Sequence, residues 1–321
     1  MTILVLGSKG LAGSAICRNL ELNNREFIAA TRSDVDLLNF EAVDRYFNKI
    51  KPSTIIGAAA LVGGMAANIK YPVEFLINNI TIQNNTILSA HNNNVSKYVF
   101  LGSSCVYPRE AESPISENQL LTGPLEKTNE AYAVAKISGL KLIQSFRDEY
   151  SKNWVSVMPT NLYGPGDNFD INNSHVLAAV IRKFHEAVLK NKKEITLWGS
   201  GNPRREFMHA DDFASAVTFI TDNYNEREPI NIGTGTDISI KDLAEIIVKI
   251  SGFKGDVKWN MEVPDGTYRK MLNVTKLNNL GWKSKISLKE GVESTYKWFV
   301  QNYQATRLSV PVIVSDLIST L

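Results

Sequence analysis

Short apolar runs alternate with longer stretches whose apolar positions recur every three or four residues. The runs are TILVLG (2–7), EFIAAT (26–31), TIIGAAA (54–60), KYVFLGS (97–103) and WVSVMP (154–159). Between them lie LAGSAICRNLEL, EAVDRYFNKI, PVEFLINNITIQNNTILSAHNNN (72–94) and NEAYAVAKISGLKLIQSFRDEY. Runs of the first kind predict strands and those of the second predict helices, and Pro72 suits a first helical turn. This order predicts an α/β fold in which helices cover both faces of a parallel sheet.

The second half is less regular. NSHVLAAVIRKFHEAVLKN, HADDFASAVTFITDNY, SIKDLAEIIVKISG and SLKEGVESTYKWFVQNY read as helices, the third with a serine cap. EITLWGSG and PINIGTG read as strands with turns. The division expected is a nucleotide-binding domain over 1–165 with returning segments around 207–233, and a smaller α/β substrate lobe over 166–303. The apolar tail at 304–321 is too short to span a membrane. An extra strand, an oligomer contact and an added sequence all fit it.

Composition narrows the function classes. The chain has 321 residues and a formal net charge of +2, without a basic block, so nucleic acid is not an expected partner. No apolar run reaches spanning length and the start carries no secretory pattern, so neither a membrane nor export is expected. Cys17 and Cys105 lack metal-ligand spacing, so no metal site or disulfide scaffold is expected, and a reducing cytoplasm fits.

Gly7, Gly10 and Gly13 stand as G-x-x-G-x-x-G between the first strand and the first helix. Glycines there let backbone approach a pyrophosphate at a helix N-terminus, where free N–H groups and the dipole favour anions. A plain strand–helix turn is the bland alternative, and the context favours a Rossmann-type, doubly wound dinucleotide site. The second strand ends in Thr31 and Arg32, where an NAD site usually carries an acid. Arg32, with Lys9, suits a 2′-phosphate, which favours NADP(H). Solvated surface cations are the alternative.

Tyr132 and Lys136 lie four apart on a predicted helix and so share a face. A neighbouring ammonium is expected to lower the tyrosine pKa and fit it for proton exchange. Ser103, closing the fourth strand, can hydrogen-bond a carbonyl that Tyr132 protonates. If the chain stays extended, Cys105 falls on the same side as Ser103. A thiol is not needed to reduce a ketone, but a thiolate can remove a proton beside one. Inversion of such a carbon also needs an acid on the other face, and His175 is the candidate. Singly, Cys105 also reads as a buried small hydrophobe, and His175 as a polar helix end.

Ser103, Tyr132 and Lys136 behind this glycine motif resemble the short-chain dehydrogenase/reductase superfamily, and the length and C-terminal lobe resemble its extended, nucleotide-sugar branch. More closely, AALVGGMAAN, FLGSSCVYP, EAYAVAK, SVMPTNLYGPGDNF, NSHV, WGSGNPRREFMHADD, NIGTG and PDGTYRK resemble the GDP-L-fucose synthase family from residue 2 to about 303. That resemblance implies an NADPH-dependent enzyme that epimerises C3 and C5 of GDP-4-keto-6-deoxy-D-mannose and then reduces C4. It implies Cys105 as base, His175 as acid, and Ser103, Tyr132 and Lys136 as the reducing group. Leu101, Gly102, Lys136, Pro159, Asn161, Leu162 and His175 would border the cofactor. Lys183, Trp198, Arg205 and Asp265 would hold the GDP-sugar, and the protein would be a homodimer. Lys183 and Lys9 replace expected arginines and lose the planar fork; Gly166 and Lys127 also depart from the commoner pattern. A GDP-colitose synthase acting at C5 only, a dTDP- or UDP-sugar enzyme, and a non-catalytic NADP-binding homologue are the rival readings.

Overall fold

The computed structural model describes residues 2–171, 173–262 and 265–308. In chain order the elements begin β1 (Ile3–Leu6), α1 (Leu11–Leu22), β2 (Phe27–Ala30), α2 (Phe40–Ile50), β3 (Thr54–Gly57), α3 (Met65–Lys70), α4 (Pro72–Asn92) and β4 (Lys97–Leu101). Next come α5 (Glu130–Tyr150), β5 (Asn153–Pro159), β6 (Asn161–Tyr163), α6 (Val176–Leu189), β7 (Glu194–Trp198), β8 (Arg204–Arg205), β9 (Phe207–His209) and α7 (Ala210–Asn223). The last are β10 (Ile230–Ile232), β11 (Ile238–Ser239), α8 (Ile240–Ser251), β12 (Asp256–Asn260), β13 (Arg269–Lys270), α9 (Thr275–Asn279) and α10 (Leu288–Leu308). Helix α10 carries the chain through 304–308, and the apolar tail at 309–321 lies outside the described residues.

Six parallel strands form the main sheet in the order β10-β5-β4-β3-β1-β2. The period of two sorts their side chains onto opposite faces. Ile3, Val5, Val99, Leu101, Val155 and Val157 pack with α1 and α7. Leu4, Leu6, Tyr98, Phe100, Trp154 and Met158 pack with α2, α4 and α5. Both faces are therefore covered, as an all-parallel sheet requires. The chain leaves β1 for β2 on one side and for β3 on the other, so the crevice between the strand ends opens where the order reverses.

A third core of Phe184, Ile195, Leu243, Ile247, Phe253 and Phe299 joins α6, α8, α10 and β7 into a smaller lobe. Ser239 caps α8 by accepting the Asp242 N–H at 3.0 Å, as the sequence predicts. Strands β7 and β12 pair within this lobe, and ribbons β6–β9 and β11–β8–β13 lie between it and the main sheet. The buried Glu206 fastens the junction, accepting the N–H groups of Thr234 (2.6 Å), Gly235 (2.7 Å) and Leu272 (2.8 Å). Much of REF and NIGTG is thus occupied in joining the two lobes. Among the described residues, no helix is long and apolar enough to cross a membrane.

Candidate active site

At the open end of β1 the backbone crowds itself. Gly7 has φ 72°, and a Cβ there would lie 2.7 Å from the Ala59 Cα. A Cβ on Gly13 would lie 2.1 Å from the Gly7 carbonyl oxygen, while the Gly10 N–H closes the turn on that oxygen at 3.0 Å. Helix α1 begins at Gly10 without a side-chain cap, so its first N–H groups stay available. Beyond β2, Asp34 folds back to accept from the Thr31 N–H (2.8 Å) and hydroxyl (2.6 Å). Arg32 and Lys9 remain exposed beside it. A bare helix end, a side-chain-free cradle and two exposed cations with no ion pair among the described residues fit a dinucleotide bearing a 2′-phosphate.

The catalytic candidates gather at the end of β4. The Gly102 N–H donates to the Val157 carbonyl at 2.8 Å, and a Cβ at Gly102 would meet the Met158 sulfur at 2.6 Å. The chain then does not stay extended. Ser103 caps a 3₁₀ turn over Ser104–Val106, its Oγ accepting the Cys105 N–H at 3.3 Å. Period-two alternation therefore does not place Cys105, contrary to the sequence expectation; the serine-capped turn does. The Ser103 hydroxyl neighbours both the Cys105 thiol and the Tyr132 hydroxyl and lowers the pKa of each. On α5, Lys136 is buried, lies 5.8 Å from the Tyr132 ring centre and donates to the Leu101 carbonyl at 2.8 Å.

Burial governs the protonation of this group. It pushes the Cys105 thiol up, while Lys270, the Ser103 hydrogen bond and Lys136 pull it down. It pushes Tyr132 up, reinforced by negative charge on Cys105 and opposed by Ser103. The expected lowering of the tyrosine by its lysine is absent. The Lys136 ammonium is aimed at a backbone carbonyl, and desolvation lowers its own pKa to about 8.

His175 precedes α6, and its imidazole makes no cap and no other hydrogen bond among the described residues. It keeps exposed surface yet is closely surrounded by protein, which lowers its pKa. Such a side chain lines a cleft. Among the described residues, no hydrogen bond or ring contact joins it to Cys105 or Tyr132. Its loop is fixed by the GG motif: the Gly64 N–H donates to the Asn173 carbonyl at 2.8 Å, and a Cβ at Gly64 would strike the Ser174 oxygen at 2.4 Å. A Cβ on Gly63 would touch Phe75 at 3.0 Å, and Phe75 meets Tyr132 edge-on at 6.2 Å. One aromatic ring thus stands between the histidine loop and the tyrosine.

Pro159 ends β5, Asn161 and Leu162 start β6, and the Asn161 amide donates to the Glu206 carbonyl at 2.8 Å. Farther out, the Lys183 ammonium lies 5.0 Å from the centre of the Trp198 ring, which is 62% exposed. Lys183 also borders a recess of ≈550 Å³ between α6 and β7. Asp265 accepts from the Ser200 N–H (2.9 Å) and hydroxyl (2.6 Å), and Arg205 helps hold its carboxyl ionised. The four substrate candidates therefore form two pairs, Lys183–Trp198 and Arg205–Asp265, joined by the Trp198–Ser200 turn. Two charged neighbours escaped the sequence reading. Lys270 pairs with Arg205 across β13–β8 and acts on Cys105, and Glu126 acts on both cations. PDGTYRK contained Lys270, but only strand register singles it out.

The NAD dependent epimerase/dehydratase family matches residues 3–233. The GDP-L-fucose synthase of Sinorhizobium fredii is 48% identical, over 94% of this chain and 96% of its own. The GDP-L-colitose synthase of Yersinia pseudotuberculosis is 39% identical, over 94% and 98%. Among solved structures, the NADP-bound GDP-L-fucose synthetase of Naegleria fowleri superposes with a TM-score of 0.88 at 29% identity, covering 95% of this chain and 96% of the other. This chain belongs to the NAD dependent epimerase/dehydratase family, in the branch that the GDP-L-fucose synthases occupy.

Proposed function

We propose that this protein is an NADPH-dependent epimerase–reductase that converts GDP-4-keto-6-deoxy-D-mannose to GDP-L-fucose. The observation that carries the reading is a thiol inside a reductase site: Cys105 shares Ser103 with Tyr132. A plain ketoreductase has no use for that thiol, whereas epimerisation beside a ketone does. Identity favours fucose over colitose chemistry, at 48% against 39%.

The C4 carbonyl of the substrate accepts hydrogen bonds from Ser103 and Tyr132. Cys105, as thiolate, removes the proton from C3 or C5, and the electron pair moves to O4. His175, as imidazolium, returns a proton to the opposite face, inverting the carbon. The reduced nicotinamide, when bound, supplies hydride to C4. Tyr132 protonates O4, and Lys136 assists by electrostatics. Lys183 and Arg205 neutralise the diphosphate, and Trp198 offers a flat face. The nucleotide domain comprises 1–165 with 207–233, and 166–303 forms most of the substrate lobe.

Exposed Val73, Ile77 and Leu88 on α4 and Val134 on α5 support a homodimer formed through these two helices. A cytoplasmic setting fits the two free cysteines.

Incubation with GDP-4-keto-6-deoxymannose in deuterated water, with and without NADPH and read by NMR, tests the function. Deuterium at C3 and C5, with GDP-L-fucose formed on adding NADPH, is expected. Label at C5 alone indicates the colitose-type activity, and absence of both exchange and NADPH oxidation overturns the reading. The pH profile carries a signature of its own. The reactive form pairs a thiolate of raised pKa with an imidazolium of lowered pKa. Its fraction is constant between those two values, so exchange should plateau from below ~6.5 to above ~8.5, the ordinary histidine and cysteine values.

A further inference from the structure

Helix α3 is short and mostly bare. Its buried residues are Ala67 and Asn68, while Met65 and Ile69 are more than half exposed. Stability alone does not explain a buried Asn68. Its Nδ2 donates to the carbonyls of Gly63 at 2.9 Å and Gly64 at 3.0 Å, but its Oδ1 is buried without a hydrogen-bond partner among the described residues. A flipped amide would set that oxygen against two carbonyls, so its orientation is fixed. An orphaned buried acceptor costs ~1–3 kcal/mol, which an apolar side chain of similar size would avoid. The position therefore calls for two donors at this point of the chain.

The turn those donors hold is fixed from its other flank as well. Asn79, on α4, accepts the Leu61 N–H at 2.9 Å and donates to the Leu61 carbonyl at 3.0 Å. Phe75 and Ala67 close on Gly63, where a Cβ would lie 3.0 Å and 3.1 Å from them. From this turn the Gly64 N–H reaches across to the Asn173 carbonyl at 2.8 Å. No side chain fits at Gly64, since a Cβ would meet the Ser174 oxygen at 2.4 Å. Asp170 closes the far side, accepting the Asn173 N–H at 2.9 Å on its carboxylate and the Ser174 N–H at 3.0 Å on its carbonyl. Asp170, Asn173 and Ser174 therefore move together when the Gly64 N–H moves, and His175 is the next residue.

We propose that Asn68 is a positioning residue for His175: by holding the Gly63 and Gly64 carbonyls it sets where the Gly64 N–H meets the Asn173 carbonyl, and so how far the imidazole reaches into the cleft. The role of His175 is that of acid in the proposed epimerisation, on which this placement depends. A buried amide between β3 and α4 thereby sets a group at the start of α6. Phe75, which touches the same turn, meets Tyr132 edge-on, so acid and tyrosine are referred to one support.

The histidines report on this directly. The chain has four, and in the substrate-free, full-length protein labelled at the histidine ring carbons each gives its own NMR line. His175→Gln assigns the line of interest. Asn68→Asp keeps the shape and loses both donors, so the His175 line should shift or broaden while those of His91, His185 and His209 stay in place. With substrate, kcat for deuterium exchange at C3 and C5 should fall roughly 10²-fold, the cost of a misplacement of about 1 Å, with KM unchanged. Asn68→Leu, of similar volume, should reproduce both effects if Asn68→Asp folds poorly. An unmoved His175 line in both variants overturns the proposal. So does a rise in KM at constant kcat, or movement of all four lines in both variants, which would make Asn68 a purely structural residue. If the wild-type protein exchanges no substrate deuterium, the epimerase reading fails, while the His175 line still reports whether Asn68 positions the loop.

Discussion

The proposed reducing and epimerising halves of the site are built differently. Ser103, Tyr132 and Lys136 stand at the end of a central strand and on the helix packed beside it. They are backed by buried Phe100, Leu101 and Met158. His175 precedes α6, Lys183 lies within it, Trp198 ends β7, Asp265 stands in a loop, and Arg205 and Lys270 occupy two-residue strands, the six spread over nearly a hundred positions. Cys105 belongs to the first half by chain position and to the second by electrostatics. The central sheet therefore fixes the group proposed to meet the ketone oxygen. The ribbons tied through Glu206 and Asn231 bring in Arg205, proposed to hold the diphosphate, while the groups proposed to move protons at carbon come from the turn after β4 and the residue before α6. A rigid scaffold sets the shared reaction, and peripheral ribbons set what is added to it.

The largest expected effect separates the halves directly. Tyr132→Phe removes the proton donor to O4, and reduction should fall ~10²–10⁴-fold while deuterium still enters C3 and C5. Cys105→Ala should abolish that exchange by a similar factor while leaving cofactor affinity, read by nucleotide fluorescence, unchanged. If either variant loses both activities equally with its fold intact, the two halves act as one unit and the distinction fails.

A smaller effect tests the cofactor end. Arg32 is exposed and unpaired among the described residues, and Asp34 is committed to Thr31. A charge-assisted hydrogen bond contributes ~1.5–3 kcal/mol, so Arg32→Ser should raise the KM for NADPH about 10- to 100-fold and leave that for NADH nearly unchanged. A parallel rise for both cofactors would place Arg32 on the shared pyrophosphate instead.

The same contrast explains what could be read from sequence. β1 to β5 each alternate apolar residues between two cores, so periodicity located them within a few residues. The Gly7-Gly10-Gly13 and Tyr132–Lys136 spacings follow from local geometry along one element. The Cys105 turn was read as extended because a serine cap depends on one hydrogen bond that apolar periodicity does not record. Lys270 was passed over because its place beside Arg205 arises from register between β8 and β13, which pairs residues 65 positions apart, and Glu126 because it acts on both from the segment before α5, distant in sequence. The tyrosine's protonation was misjudged for a related reason. Spacing along α5 gives proximity to Lys136, but not burial or the carbonyl that the lysine takes.

The smallest expected effect lies at the rim, where the ribbons meet solvent. Lys183 rests against Trp198 at 5.0 Å, with the indole 62% exposed. A cation–π contact at such a site contributes ~0.5–1 kcal/mol, so Trp198→Ala should raise the KM for the GDP-sugar about two- to fivefold with kcat unchanged. Burial lowers the Lys183 pKa, which weakens its hold on phosphate as pH rises. A guanidinium stays charged throughout and grips two oxygens at once. Lys183→Arg should therefore lower KM slightly and flatten its rise at alkaline pH. If Trp198→Ala instead lowers kcat and leaves KM alone, the outer pair is coupled to the chemistry, and the division between a rigid reducing half and a peripheral binding half no longer holds at its margin.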